Sequence, residues 1–174
     1  MWVRSFCNIF LWIIISTTVY SQKEYNNWYF GYYAGISFQN GSPFALLGSA
    51  MQQAEGTATI SDNDGNLLFY TNGRTVFNKV HLILENGTGL TGQPTSTQSA
   101  LIVKKPCCSR YYYLFTMPAY GILSSFSYSI VDLQIDSGNG GIIEKNIFLK
   151  SSTTEKLTAV RHANGINIWV IIHG

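Results

Sequence analysis

A short strand of small residues, a polar turn and a strand rich in aromatic residues recur in that order three times along this 174-residue chain. In the first copy Gly56 to Ser61 (GTATIS) leads into Asp62-Asn63-Asp64-Gly65-Asn66 and returns as Leu67 to Thr71 (LLFYT). Two β-type runs around an Asp-Gly turn predict a hairpin. Asn72-Gly73 makes the next turn, and Thr75 to Asn78 a third strand. In the second copy Ser99 to Val103 (SALIV), a loop over Lys104 to Arg110 and Tyr111 to Thr116 (YYYLFT) repeat the pattern. Ser125 to Leu133 follows, with Phe126, Tyr128 and Ile130 alternating against Ser127, Ser129 and Val131. Ser137 to Gly141 is a turn, and Ile142 to Leu149 closes the group. The third copy runs from Leu157 to Val160, turns at Ala163-Asn164-Gly165 and returns as Asn167 to Ile172. Upstream of all three, Trp28 to Phe38 is aromatic and partly alternating, a further strand signal.

The anchors Ala58, Ala100 and Ala159 are 42 and 59 residues apart. WD-type propeller repeats run about 40–45 residues and kelch repeats about 50. The spacing therefore predicts an all-β chain built as a partial β-propeller, with about two four-stranded blades and the start of a third. A β-sandwich is the alternative, since it also gives many short strands and turns. Composition agrees with either: aromatics are 14% and charged residues only 11%, against a usual charged share of about 25%. No segment keeps a 3.6-residue apolar period, so long helices are not expected. Because propellers close with about four or more blades, residues 22–174 are expected to form an incomplete domain of a truncated or longer protein.

The N-terminus reads as an address. Arg4 supplies a positive region, Ile9 to Ile15 (IFLWIII) an uncharged apolar run, and Val19-Tyr20-Ser21 a cleavage point before Gln22. That is the three-part pattern of a secretory signal over residues 1–21, with a short N-terminal anchor that is never cleaved as the alternative. A membrane span needs roughly 20 apolar residues, and this run is shorter. No later stretch is expected to cross a bilayer, so the mature chain is expected outside the cell or on its surface. Cys7 falls inside the signal, leaving Cys107 and Cys108. Adjacent cysteines bridge only with strain, and no second pair provides a zinc-type spacing. They read as turn thiols, with a strained vicinal disulfide as the alternative.

Chemistry-bearing motifs are sparse. The net charge of +2 gives no electrostatic case for nucleic acid. His81, His162 and His173 lie at no ligand spacing, so no metal and no cofactor are expected. Asp62 to Gly65 resembles the start of an Asp-box turn, in which side chains hold a hairpin. As an EF-type calcium loop it fails, because Ile60 would stand at the first ligand position. There is no G-x-S-x-G elbow, and Gly138 to Gly141 has neither the helix nor the Lys of a phosphate loop. Glycoside hydrolysis needs two carboxylates across a bond, for which Glu55, Asp132, Glu144 and Glu155 are available. Glu55 and Glu155 each precede a strand of the kind that lines a propeller channel. With Arg161 and His162 they form the channel-face candidates; a capped turn or a salt bridge to Lys156 or Arg161 is the alternative role. No catalytic residue is assigned. Tyr111 and Tyr113 share one face of their strand and Tyr112 takes the other, so either sugar stacking or core packing is open to them.

Several strings together resemble a family. Asn26-Asn27-Trp28-Tyr29-Phe30-Gly31, Glu55 to Asp62, Gly65 to Thr71, Asn86 to Leu90, Ser96 to Ala100 and Glu155 to Val160, followed by His162 and Asn164-Gly165, are similar to the N-terminal region of large secreted Bacteroidetes proteins. Such proteins combine a propeller-like N-terminal region with PKD-type β-domains and a sorting domain of the kind associated with gliding motility and type IX secretion. The resemblance implies export and a surface role, and implies no reaction. The expected function is therefore a non-catalytic, exported binding or scaffold module of a larger surface protein, active in adhesion or gliding. Its partner is expected to be an extracellular protein or glycan, not nucleic acid. The alternative is a glycan-acting propeller hydrolase whose acids lie partly in further blades.

Overall fold

The computed structural model describes residues 23–119 and 125–174. The export signal read at residues 1–21, with Cys7, lies outside them. Among the described residues the chain is all-β: thirteen strands and two short 3-10 turns. Among these residues no helix is long and apolar enough to cross a membrane.

The first recurrence folds as a four-stranded antiparallel meander of β4 (Ala58–Ser61), β5 (Leu67–Thr71), β6 (Thr75–Asn78) and β7 (Ile83–Thr88). Its turns are held by the polar side chains that mark them. Asp62 Oδ1 accepts the amides of Asp64 (2.9 Å) and Asn66 (2.8 Å). Asn72 Oδ1 accepts those of Arg74 (3.0 Å) and Thr75 (2.9 Å). Asn78 Oδ1 does the same for Val80 and Leu82, both at 3.0 Å. Each such bond lets one side chain satisfy backbone donors that no strand partner reaches. The second recurrence is a meander of the same order: β8 (Ala100–Lys104), β9 (Tyr111–Thr116), β10 (Phe126–Asp132) and β11 (Gly141–Lys150). The third is a single hairpin, β12 (Leu157–Arg161) with β13 (Ile168–Ile172).

The two meanders meet at their last strands, where Gly141 pairs in parallel with Glu85. Side chains reinforce the seam. Asn86 Nδ2 donates to the Ile142 carbonyl at 3.0 Å, and Lys145 Nζ donates to the Thr88 carbonyl at 2.8 Å. The resulting eight-stranded sheet runs β4-β5-β6-β7-β11-β10-β9-β8. It curls until its edges β4 and β8 come back into contact, which leaves it barrel-like and nearly closed. Inside lie Ile60, Phe69, Val76, Leu84, Ile102, Tyr112, Leu114, Val131 and Ile142. Burial of side chains of this size is worth about 1.5–3 kcal/mol each.

Further layers pack on the outer face of this sheet, one against each meander. Trp28 to Phe38 is not one strand but a hairpin, β1 (Asn27–Phe30) with β2 (Ala34–Ser37), to which β3 (Phe44–Ala45) adds. The reversal uses Gly31 at φ 58° and Tyr33 at φ 60°. Tyr29 stacks on Tyr70 (centroids 4.5 Å), and Tyr70 on Phe77 (5.2 Å), which seats this sheet on the first meander. Leu157, Val170 and Ile172 pack with Met117, Phe126 and Phe115, seating the β12–β13 hairpin on the second meander.

The serine face of β10 is buried rather than solvent-facing. Ser127 and Ser129 are both fully buried. Thr91 Oγ1 lies 2.8 Å from Thr116 Oγ1 and 2.6 Å from Ser127 Oγ, and those two hydroxyls are 3.0 Å apart. Ser129 Oγ accepts the Asn146 amide at 3.0 Å. Hydroxyls tolerate burial when they satisfy one another in this way.

Candidate functional site

The first strands of the three recurrences, β4, β8 and β12, lie side by side with their starts at one end and their finishes at the other. The starts are bound together by polar groups. The Gly56 amide donates to the Ser96 carbonyl (3.1 Å). Gln53 Nε2 reaches the carbonyls of Gly56 (3.2 Å) and Gln93 (3.3 Å). Glu155 Oε2 accepts both the amide (2.8 Å) and the hydroxyl (2.6 Å) of Thr97. Gln98 Oε1 accepts the Leu157 amide at 2.6 Å. Glycine permits the close approach. A Cβ on Gly56 would collide with the Ser99 amide, and one on Gly73 with the Ser99 hydroxyl.

The four channel-face candidates divide between the two ends. Glu55 is exposed and precedes β4, while Glu155 precedes β12 and is engaged with Thr97. Arg161 and His162 stand at the far end of β12. Arg161 lies six residues beyond Glu155, at most about 20 Å at the usual strand rise. The structure therefore brings Glu155 to the joint between recurrences and Arg161 and His162 to the opposite mouth, and does not gather the four into one site. A cavity of about 590 Å³ opens at the starts, lined by Trp28, Thr59, Ala100 and Leu157 among others.

At the far end a cleft of about 570 Å³ runs between the second meander and the β12–β13 hairpin. It is bordered by Tyr113, Phe115, His162 and Trp169, with Val103 and Val170 between them. The His162 and Trp169 rings are 5.5 Å apart. His162 Nδ1 accepts the Asn164 amide at 3.0 Å, so the neutral ring carries its proton on Nε2. Trp169 is 59% exposed. Tyr113 packs edge-on against Tyr128 with centroids 5.7 Å apart, which fixes its plane. Apolar rings with a few polar groups at the rim suit a ligand that offers CH faces and hydroxyls.

Of the acids considered for hydrolysis, Asp132 is buried in a bidentate pair with Arg110, Nε to Oδ1 at 2.6 Å and Nη2 to Oδ2 at 2.5 Å. The Arg110 bonds, with help from the Gln134 amide, outweigh burial and hold the Asp132 carboxyl below its ordinary value. It is a structural pair at the foot of β10. The buried Tyr70 hydroxyl lies 3.1 Å from His81 Nδ1, but it also accepts the Ala50 amide at 3.0 Å and is sealed under Tyr29. Among the described residues no group of three or more His, Cys, Asp or Glu side chains converges on a point that could hold a metal ion. Cys107 and Cys108 are free thiols in the β8–β9 turn.

Thr97, Gln98 and Arg110 escaped attention in the sequence. For Thr97 and Gln98 the signal is positional only: a hydroxyl residue precedes each anchor alanine (Thr57, Ser99, Thr158), which marks the strand starts that these two side chains join. No protein-family model, no curated protein and no solved structure matches the chain.

Proposed function

We propose that the chain is an exported, non-catalytic binding module of propeller-like architecture, and that it takes glycan in the cleft between the second meander and the β12–β13 hairpin. In this reading each meander is a blade, β12–β13 begins another, and β4, β8 and β12 face the channel. Consecutive-strand pairing within each meander and the side-by-side first strands support it. So does the resemblance of the chain to the N-terminal regions of Bacteroidetes surface proteins of the gliding and type IX class. The observation that carries the binding role is the aromatic border of the cleft, Tyr113, Phe115 and Trp169 beside His162. The engagement of Glu155 with Thr97 favours a joining role for that acid over hydrolysis.

Affinity electrophoresis against a panel of soluble polysaccharides tests the proposal. Retardation by at least one of them is expected, and Tyr113→Ala or Trp169→Ala weakens it at least about tenfold, ~1.4 kcal/mol. Retardation by none, or retention of full binding by both variants, rejects the cleft as a glycan site.

A further inference from the structure

Beside the aromatic cleft, across Pro106 and Ile168, lies a second and chemically different pocket of about 370 Å³. It is formed where the β8–β9 turn meets the turn of the β12–β13 hairpin. Both thiols, Cys107 and Cys108, border it, and so do Lys104, Lys105 and Arg161. No carboxylate is among its lining residues. Its apolar wall is Pro106, Ile166 and Ile168. We propose that this pocket is a thiol-exchange site for small anionic disulfides, with Cys108 as the attacking sulfur. The proposal is independent of the glycan reading, because it uses other side chains and another ligand class.

The turn holds Cys108 in place. Its amide donates to the Lys105 carbonyl at 3.2 Å. The backbone amides of Arg110 and Tyr111 favour its thiolate, and the charges of Lys105 and Arg110 add to them. Together they hold the thiol below its ordinary value against a smaller opposing effect of burial. Those cations are themselves positioned: Lys105 Nζ and the Arg110 guanidinium lie 5.4 and 4.9 Å from the centroid of the Tyr111 ring. The Arg110 charge is shared with Asp132. Lys104, Lys105 and Arg161 therefore supply the field that favours an anionic partner.

In the exchange the Cys108 thiolate attacks one sulfur of R–S–S–R. A new bond forms between Cys108 Sγ and that sulfur, and the R–S–S–R bond breaks. The departing RS⁻ carries off the electron pair and takes up the proton that Cys108 released. Cys108 is oxidised to a mixed disulfide and the second sulfur of the reagent is reduced. Cys107 does not resolve the adduct efficiently. Adjacent α-carbons stand about 3.8 Å apart across a trans peptide, short of the usual disulfide range of about 4.4–6.8 Å.

The test uses the full chain with Cys7→Ser, so that only the pair can react, and follows intact mass and peptide maps. Oxidised glutathione (anionic) and cystamine (cationic) are the probes. One glutathione adduct at Cys108 is expected, formed on the order of ten times faster than the cystamine adduct at low salt. Added salt narrows that ratio. Cys108→Ser abolishes the adduct and Cys107→Ser keeps it. Lys104→Gln, Lys105→Gln and Arg161→Gln together, all on exposed or half-exposed side chains, bring the two probes to equal rates with an unchanged circular dichroism spectrum. Equal rates in the parent protein, first reaction at Cys107, or no adduct in a folded chain whose denatured form reacts would each overturn the proposal.

Discussion

Two glycines with positive φ do different work. Gly65, at φ 90°, completes the Asp62 turn, and its nearest neighbours are side-chain atoms of Gln39, Asn26 and Lys23 at 3.3 to 3.4 Å. Gly73, at φ 81°, lies against the backbone and hydroxyl of Ser99. An alanine at either position is strained by its backbone, but only at Gly73 does it also push the second meander away from the first. Gly65→Ala is expected to cost about 1–2 kcal/mol and Gly73→Ala about 2–4 kcal/mol. Urea denaturation curves of the two variants measure the difference, and equal losses would mean that Ser99 moves aside freely. Two carboxyls set the acid limit. Arg110 lowers Asp132. At Asp62 partial burial pushes upward, and the Asn66 side chain and the amides of Asn66, Asp64 and Gly65 outweigh it. A carboxyl depressed in the folded state contributes stability above its unfolded value, about 3.9, and loses it as pH falls through the folded one. Stability is therefore expected to fall from about pH 5 downward. Asp132→Asn is less stable at neutral pH and shows a flatter acid limb; an acid limb of unchanged slope counts against the pair.

Among elements, the β12–β13 hairpin is the most dependent on its neighbours. It has two strands, and isolated hairpins are marginal in water. Its attachment combines Leu157, Val170 and Ile172 with the bonds from Gln98 and Thr97 to Leu157 and Glu155. Gln98→Ala leaves the Leu157 amide without its acceptor, at a cost of about 1–3 kcal/mol. The loss is local: hydrogen exchange is expected to quicken across β12 and β13 and to stay slow in β5 and β6. Uniform acceleration across all strands would show that the hairpin is not a separate cooperative unit. Elements also differ in how plainly the sequence announces them. The β4–β5 hairpin, β6 and β9 follow from Asp-Gly, Asn-Gly and the run Tyr111 to Thr116. The β1–β2 reversal was hidden because a tyrosine, Tyr33, takes a left-handed conformation there without an Asn or Asp to signal it. Strand β7 was hidden because Glu85-Asn86-Gly87 reads as a turn. Asn86 does have φ 58°, but its amide is spent on Ile142 of the neighbouring meander, a partner no local pattern contains. Likewise the Glu155–Thr97 joint spans 58 residues, so the acids could be nominated but not placed.

On the scale of the whole molecule, apolar surface is left at the outer face of the last hairpin. Val160 and Ile171 are each 51% exposed. The free edge of β13 has no strand partner among the described residues. Such an edge, apolar and without a charged side chain, is a template for further pairing. Residues 22–174 are expected to self-associate, and Val160→Lys with Ile171→Lys to restore a single monomeric peak on size exclusion. A monomer before substitution would show that the edge is protected. The proposed export carries its own check, since N-terminal sequencing of the secreted chain is expected to begin at Gln22. A product that starts at Met1 would reject cleavage there.

Among the described residues every hydrogen-bonded strand pair except β7 with β11 joins neighbours in sequence. That pattern has a consequence in time. Outside that pair no strand waits for a distant partner to be made; each finds its mate one turn away along the chain. Contacts of this kind close quickly, because little loop entropy stands in the way. A chain that emerges from a pore N-terminus first can thus complete one layer before the next arrives, and each finished layer presents the surface on which its successor settles. The lone parallel pair between β7 and β11 comes late in that sequence. It acts as a clasp shut after two finished halves have met.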